Sequence, residues 1–169
     1  MIQLLRLDER MIHGQVAIKW SRHIDVNRIV VANDYAASDH IVQKSLMMAA
    51  PSTCKVAIKS VDDSIKLLND PRSAELKVLL IANNPEDVLK LLQNIPGIPK
   101  INIGNYGRVV PRHGDELRHT YAANLYAYPE EAEIFKQIYE LAKEQGIEEI
   151  VYQTTPENTA EDIKKLMGF

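Results

Sequence analysis

Residues 7–16 read Leu-Asp-Glu-Arg-Met-Ile-His-Gly-Gln-Val and gather an acid, a cation, an imidazole and a glycine into one short segment. A neutral imidazole is nucleophilic toward phosphorus, so His13 could accept a phosphoryl group. Arg10 and the free N–H groups of a helix start would balance the added charge. Asp8 could take the ring's other N–H and orient it, while Gly14 would let the backbone come close to a phosphate. A helix N-terminus also disfavours imidazolium, which would keep the ring neutral and ready to attack. The segment carries neither a dinucleotide fingerprint nor a Walker pattern. From the residues alone a second reading stands beside the first: a His next to a Gly is a common helix start, and Asp8 and Arg10 can pair structurally.

Such a segment needs a strand before it and a helix after it. Short apolar runs predict strands at Ile2 to Leu7, Arg28 to Ala32, Lys55 to Ile58, Lys77 to Ala82, Lys100 to Ile103 and Glu149 to Gln153. Their continuity predicts burial on both faces. Between them the apolar spacing is helical. One helix runs from Gly14 to about Ile24 with Val16, Ala17, Trp20 and Ile24 inward, and another from about Ser38 to Ala50 before Pro51. Further helices start at Ser60, at Asn84 with Pro85 in the first turn, at Pro129 (running to Gly146) and at Thr159 with Asp162, the last stopping at Gly168.

Strands alternating with helices predict an α/β fold: an open, mainly parallel sheet with helices on both faces, one domain over residues 1–169. Residues 104–128 fit least well, and Thr120 to Tyr128 could form an antiparallel edge strand. In such sheets ligands settle beyond the carboxyl ends of the strands, which directs attention to the loop carrying His13.

Composition narrows the function classes. With 46% hydrophobic and 25% charged residues the 169-residue chain has the balance of a soluble domain. It lacks the ~20-residue apolar run that inserts into a bilayer, and its first residues are too soon charged for a signal peptide, so a cytoplasmic location is expected. A single cysteine, Cys54, permits no internal disulfide or thiolate metal cluster. His23, His40, His113 and His119 lack the spacing of a zinc motif, so no metal is expected. A net charge of -3 argues against a nucleic-acid partner. Charge is uneven: eight basic and five acidic side chains lie in residues 1–60, against four and ten in residues 129–169. Solvated faces account for that asymmetry, with an anion or partner surface as the alternative.

The Arg-x-Asp-x-Arg-x-Ile-His-Gly-Gln-Val pattern from Arg6 to Val16, with Trp20 beyond it, resembles the signature of the IIB components of the mannose family of bacterial sugar phosphotransferase systems. Val31-Ala32-Asn33-Asp34, Met48-Ala49-Ala50-Pro51, Val78 to Leu92 and Ile101-Asn102-Ile103-Gly104 resemble the same family in the same order, so the likeness spans the chain. It implies a phosphocarrier, with His13 transiently phosphorylated, Arg10 as charge partner, Asp8 as orienting carboxylate, and Gly14 and Gln15 as loop members near the phosphate. It further implies a IIA protein or domain as donor and membrane IIC and IID subunits as partners. A hexose or amino-hexose would be the acceptor. No cofactor or metal is implied, nor entry into the bilayer, and a homodimer stays open. One departure stands out: Asn105 follows Gly104 where a second glycine is expected, and Tyr106-Gly107-Arg108 replaces a more usual segment.

Other residues have plainer readings. Trp20 is expected in the core beneath the loop, and Met47-Met48 in the core or a subunit interface. Asn33 and Asp34 are equally a helix cap or part of the crevice. Arg108, Arg112, His113, Arg118 and His119 form a basic stretch that could line the site, receive an acidic partner or lie solvated. Two other functions use the same helix start without sugar transport: reversible binding of a nucleotide or small anion, and a regulatory protein that has kept the motif.

Overall fold

A computed structural model describes residues 1–169. The chain runs β1 (Ile2–Leu7), α1 (Gly14–His23), β2 (Arg28–Ala32), α2 (Asp34–Ser38), α3 (His40–Ala49), β3 (Lys55–Lys59), α4 (Val61–Asn69) and β4 (Val78–Ala82). It continues with α5 (Pro85–Asn94), β5 (Lys100–Ile103), β6 (His119–Ala122), β7 (Leu125–Ala127), α6 (Pro129–Glu144), β8 (Glu149–Tyr152), β9 (Glu161–Asp162) and α7 (Ile163–Met167). Seven strands form one sheet in the order β3-β2-β4-β1-β5-β8-β9, parallel except for β9 against β8. No helix is long and apolar enough to cross a membrane.

Each parallel pairing needs a crossover, and the crossovers cover both faces with helices. Because strand side chains alternate, β1 sends Leu5 and Leu7 to a core shared with Val88 and Leu91 of α5 and Phe135 and Ile138 of α6. Leu4 faces the opposite core with Ala17 and Trp20 of α1, Ala36 of α2 and Leu46 of α3. β1 lies inside the sheet between β4 and β5, so its ends are surrounded by neighbouring loops.

The structure corrects four expectations. The helix expected from Ser38 to Ala50 is two helices, because Asp39 leaves helical geometry and accepts the N–H groups of Ile41 and Val42 as a cap. Of the two places expected for Met47 and Met48, the core is the one overturned: α3 turns Val42, Leu46 and Ala49 inward, a phase that leaves Met48 on the outer side. Thr159 starts no helix; Glu161 and Asp162 form the antiparallel edge strand, and Asp162 caps α7 by accepting the N–H of Lys165. The edge expected at Thr120 to Tyr128 is instead a separate hairpin of β6 and β7. Its backbone is satisfied by residue 106, since Tyr106 N–H donates to Asn124 O and Tyr126 N–H to Tyr106 O, both at 2.9 Å. Asn33 resolves as a cap, accepting the N–H of Ala36 at 2.8 Å.

Candidate functional site

β1 ends at Leu7, and residues 8–13 turn over the carboxyl edge of the sheet before α1 begins. His13 is the N-cap residue of α1, in extended conformation, and no side chain caps the helix. The first-turn N–H groups of α1 therefore keep their donors for an external acceptor. Gly14, next in line, has φ +46°, a left-handed conformation that costs glycine nothing; no crowding of a Cβ requires it.

The centre of the site is a buried carboxylate. Asp8 is fully buried, and its Oδ2 receives Nη2 of Arg6 at 2.9 Å, Nε2 of His13 at 3.0 Å and Nδ2 of Asn105 at 3.0 Å. Its Oδ1 accepts the backbone N–H of Arg10 at 3.1 Å. An ionised carboxylate can only accept, so Nε2 of His13 carries the proton and the lone pair of the neutral ring lies on Nδ1. Burial pushes the Asp8 carboxyl up, but the His13 hydrogen bond and the Arg6 charge outweigh it. They hold Asp8 below the usual carboxylate range. The His13 side chain remains 15% exposed, so the ring is open to water on one side.

Arg6 explains how a charge survives inside the sheet. It projects on the same face as Leu4, and its register neighbour on β5 is Asn102. Its Nη1 donates to Asn102 Oδ1 and, at 3.1 Å, to Gln153 O; Nη2 donates to Thr154 O at 3.1 Å. The guanidinium carbon lies 5.3 Å from the centroid of the Trp20 ring, whose Nε1–H donates to the same Thr154 carbonyl at 3.0 Å. Trp20 is thus the buried floor beneath the loop. The guanidinium has a carboxylate, three neutral oxygen acceptors and an aromatic face beside it, the company a buried cation requires.

Gly104 is part of that fit: a Cβ there would fall inside the Arg6 guanidinium. Substitution Gly104→Ala is therefore expected to cost about 1–3 kcal/mol, the usual range for overpacking a tight interior. Equilibrium denaturation measures this, and an unchanged midpoint would contradict the packing described.

The other expected site residues are spread around this centre. The Arg10 side chain is exposed, whereas its backbone is tied to Asp8, so the structural Asp8–Arg10 pair gives way to Asp8–Arg6. Gly14 and Gln15 are exposed at the helix start. Three participants were given no role in the site by sequence reasoning: Arg6, quoted only as the start of the motif, Asn105, noted only as a departure from the family pattern, and Glu9. Arg6 had a signal, a charge inside an apolar run. Glu9 is buried, and its carboxylate accepts the N–H groups of Gly107, Arg108, Val109 and Val110 at 2.9–3.3 Å, which holds that loop against the site. Nothing in its sequence context separates it from a solvated glutamate.

The basic stretch divides. Arg118 is held by Glu131, with Nε–Oε2 at 2.9 Å, and stacks over Tyr128 at 4.5 Å, so its charge is used internally. His113 stacks on Tyr128 and faces Glu130 at 3.2 Å. Arg108 reaches Asn124 Oδ1 at 3.2 Å, while Arg112 is exposed.

Comparison with known proteins gives a consistent result. The profile of the family described as "PTS system sorbose subfamily IIB component" matches residues 2–168. A probable phosphotransferase enzyme IIB component of Streptococcus pyogenes serotype M6 is 34% identical over 168 residues, spanning 99% of this chain and 100% of that protein. The mannose-specific EIIAB component of Escherichia coli K12 is 36% identical over 103 residues, 61% of this chain and 32% of that longer protein. Among solved structures, the IIBSor domain of the sorbose permease from Klebsiella pneumoniae superposes with a TM-score of 0.85 at 24% identity, covering 99% of this chain and 96% of that one.

Proposed function

Because the chain belongs to the sorbose-subfamily IIB components of the phosphotransferase system, phosphocarriers in sugar transport, we propose that it carries phosphate on Nδ1 of His13. The observation that supports this most directly is the bond from His13 Nε2–H to buried Asp8, which leaves Nδ1 as the only basic nitrogen of the neutral ring.

In the first step the Nδ1 lone pair attacks the phosphorus of a phosphohistidine on a IIA protein or domain. The new N–P bond forms as the donor's N–P bond breaks, and the donor recovers its own lone pair. The Asp8 carboxylate stabilises the positive charge that grows on the ring through Nε2–H. The first-turn N–H groups of α1, with Gly14 and Gln15 at its start, face the phosphoryl oxygens, and the exposed Arg10 side chain closes over them. In the second step a hydroxyl of an incoming hexose or amino-hexose attacks the same phosphorus and loses its proton to a base. The N–P bond then breaks, and His13 returns to its neutral form.

A IIA donor is supported by the E. coli relative, whose name joins IIA and IIB in one protein. The acceptor sugar would be presented by membrane IIC and IID subunits, with residues 1–169 acting as one IIB unit on the cytoplasmic side. Phosphoryl transfer asks mainly for alignment and neutralised oxygens, so charge rather than proton transfer carries the catalysis.

Incubation with phosphoenolpyruvate, the general phosphotransferase proteins and candidate IIA proteins, followed by intact mass spectrometry, tests the reading. One added phosphate, acid-labile, base-stable and mapped to His13, is the expected result. No gain in mass with any IIA, or phosphate on another residue, would refute it. Substitution Arg10→Ala is expected to slow transfer by ~10²-fold or more, the scale of losing one charge-stabilising donor. A rate equal to that of the unaltered protein would remove Arg10 from the site.

A further inference from the structure

Asn105 lies immediately beyond β5, where two backbone hydrogen bonds prolong the β1–β5 pairing past the ends of both strands. Gly104 N–H donates to Leu7 O, and Glu9 N–H donates to Asn105 O, each at 2.8 Å. This lays residue 105 beside residues 8 and 9 and brings its Nδ2 to Asp8 Oδ2 at 3.0 Å. Glu9 secures the same loop a second time, through its carboxylate and the N–H groups of residues 107–110. The Asn105 amide is consequently a fixed donor.

That oxygen is shared. Arg6, His13 and Asn105 all donate to Oδ2, three donors on an atom with two lone pairs, while Oδ1 takes only the Arg10 N–H. Whatever Asn105 draws from the oxygen is not available to His13. The charged groups in contact with the imidazole reduce to Asp8, which binds it, and Arg6 of β1, which reaches it through Asp8, with Tyr152 of β8 acting on Arg6; the Glu9 carboxylate is turned to residues 107–110, the Arg10 side chain is exposed, and the first turn of α1 has no acidic residue. Asn105 is thus a neutral contact on the one carboxylate that binds the ring.

We propose that Asn105 is a positioning residue for phosphoryl transfer: by holding and sharing Asp8 Oδ2 it sets how tightly Asp8 grips the His13 Nε2–H, and hence the basicity of Nδ1. The role in transfer rests on His13 carrying the phosphate. The effect on the imidazole does not. Asn105 touches neither the reacting nitrogen nor the phosphoryl group and acts only through Asp8.

Removing the amide frees Oδ2 for His13, strengthens that bond and favours imidazolium. Replacing it with a carboxylate adds negative charge beside the ring and acts in the same direction more strongly. Titration of the His13 ring by 15N NMR in the unphosphorylated full chain is expected to give an ordered series. The midpoint should move to higher pH in Asn105→Ala and further in the same direction in the isosteric Asn105→Asp. The acid limb of the phosphorylation rate against pH should move by the same amounts, because the neutral ring is the nucleophile. A merely structural role would lower stability in both variants without ordering the titrations.

His13 titrations identical in the unaltered protein, Asn105→Ala and Asn105→Asp would overturn the proposal, as would a fall in pKa in Asn105→Asp. Absence of phosphate on His13 in the unaltered protein would overturn the phosphocarrier reading instead. The NMR series, recorded without phosphate, separates the two failures.

Discussion

Replacing His13 by Ala is expected to abolish phosphate uptake while the protein stays folded. The reason for total loss is covalent: without the ring there is no nitrogen to hold the phosphoryl group, and neighbouring charges cannot substitute for a bond. None of the other histidines shares the arrangement. His113 stacks on Tyr128 and faces Glu130 at the surface, and His119 packs edge-on to Tyr121. The cost to stability is small, because His13 is partly exposed and its side chain makes one hydrogen bond, worth about 1 kcal/mol. Asp8 keeps Arg6, Asn105 and the Arg10 N–H as partners. Intact mass spectrometry after exposure to the phosphorylated donor, with circular dichroism on the same sample, checks both halves. Uptake at the level of the unaltered protein would end the assignment of His13.

The largest loss of stability is expected for Arg6→Met. The side chains are similar in length and Met packs well, so little of the effect comes from volume. It comes from Asp8, left charged and fully buried after losing its cation, and from Asn102 Oδ1, left without its donor, while the Gln153 and Thr154 carbonyls each lose one of two donors. Removing one partner of a buried ion pair costs about 3–5 kcal/mol, a large fraction of a domain's ~5–15 kcal/mol. The double substitution Arg6→Met with Asp8→Asn removes both charges and should recover part of the loss. Denaturant titration reads each value, and a loss under ~1 kcal/mol in the single variant would show that the pair is not holding the sheet edge.

The same pair predicts a pH dependence of definite sign. The folded-state pKa of Asp8 lies below its ordinary value, so the stability it contributes is fully present above the unfolded carboxylate pKa of ~3.9 and is lost as pH falls through the lower folded one. In Arg6→Met burial goes unopposed by the cation and raises that pKa. The penalty of the substitution should therefore shrink on acidification, once Asp8 is protonated and needs no counter-charge. A penalty independent of pH down to ~3 would contradict this assignment of the charges.

Much of this protein is written locally. Continuous apolar runs determined six strands of the sheet, with three of them, Ile2–Leu7, Arg28–Ala32 and Lys100–Ile103, matching to the residue. Pro85 behind Asn84 and the acidic first turn after Pro129 determined two helix starts, because capping and the helix dipole act within a few residues. The order of residues 6–16 put an imidazole, an acid and a cation at the turn from a buried strand to a helix. What the sequence could not decide was which partner each charge would meet. Asp8 and Arg10 are two residues apart and invited pairing. The pleat sends Arg6 to the face where Asp8, Asn102 and the 153–154 carbonyls converge, and leaves Arg10 outside. Asn105 and Glu9 joined the site only because β5 lies beside β1, an adjacency set by crossovers tens of residues long. Hydrogen-bond partners across such distances follow from strand order and register, which are settled by the burial of whole faces and leave no mark in the spacing of any one segment.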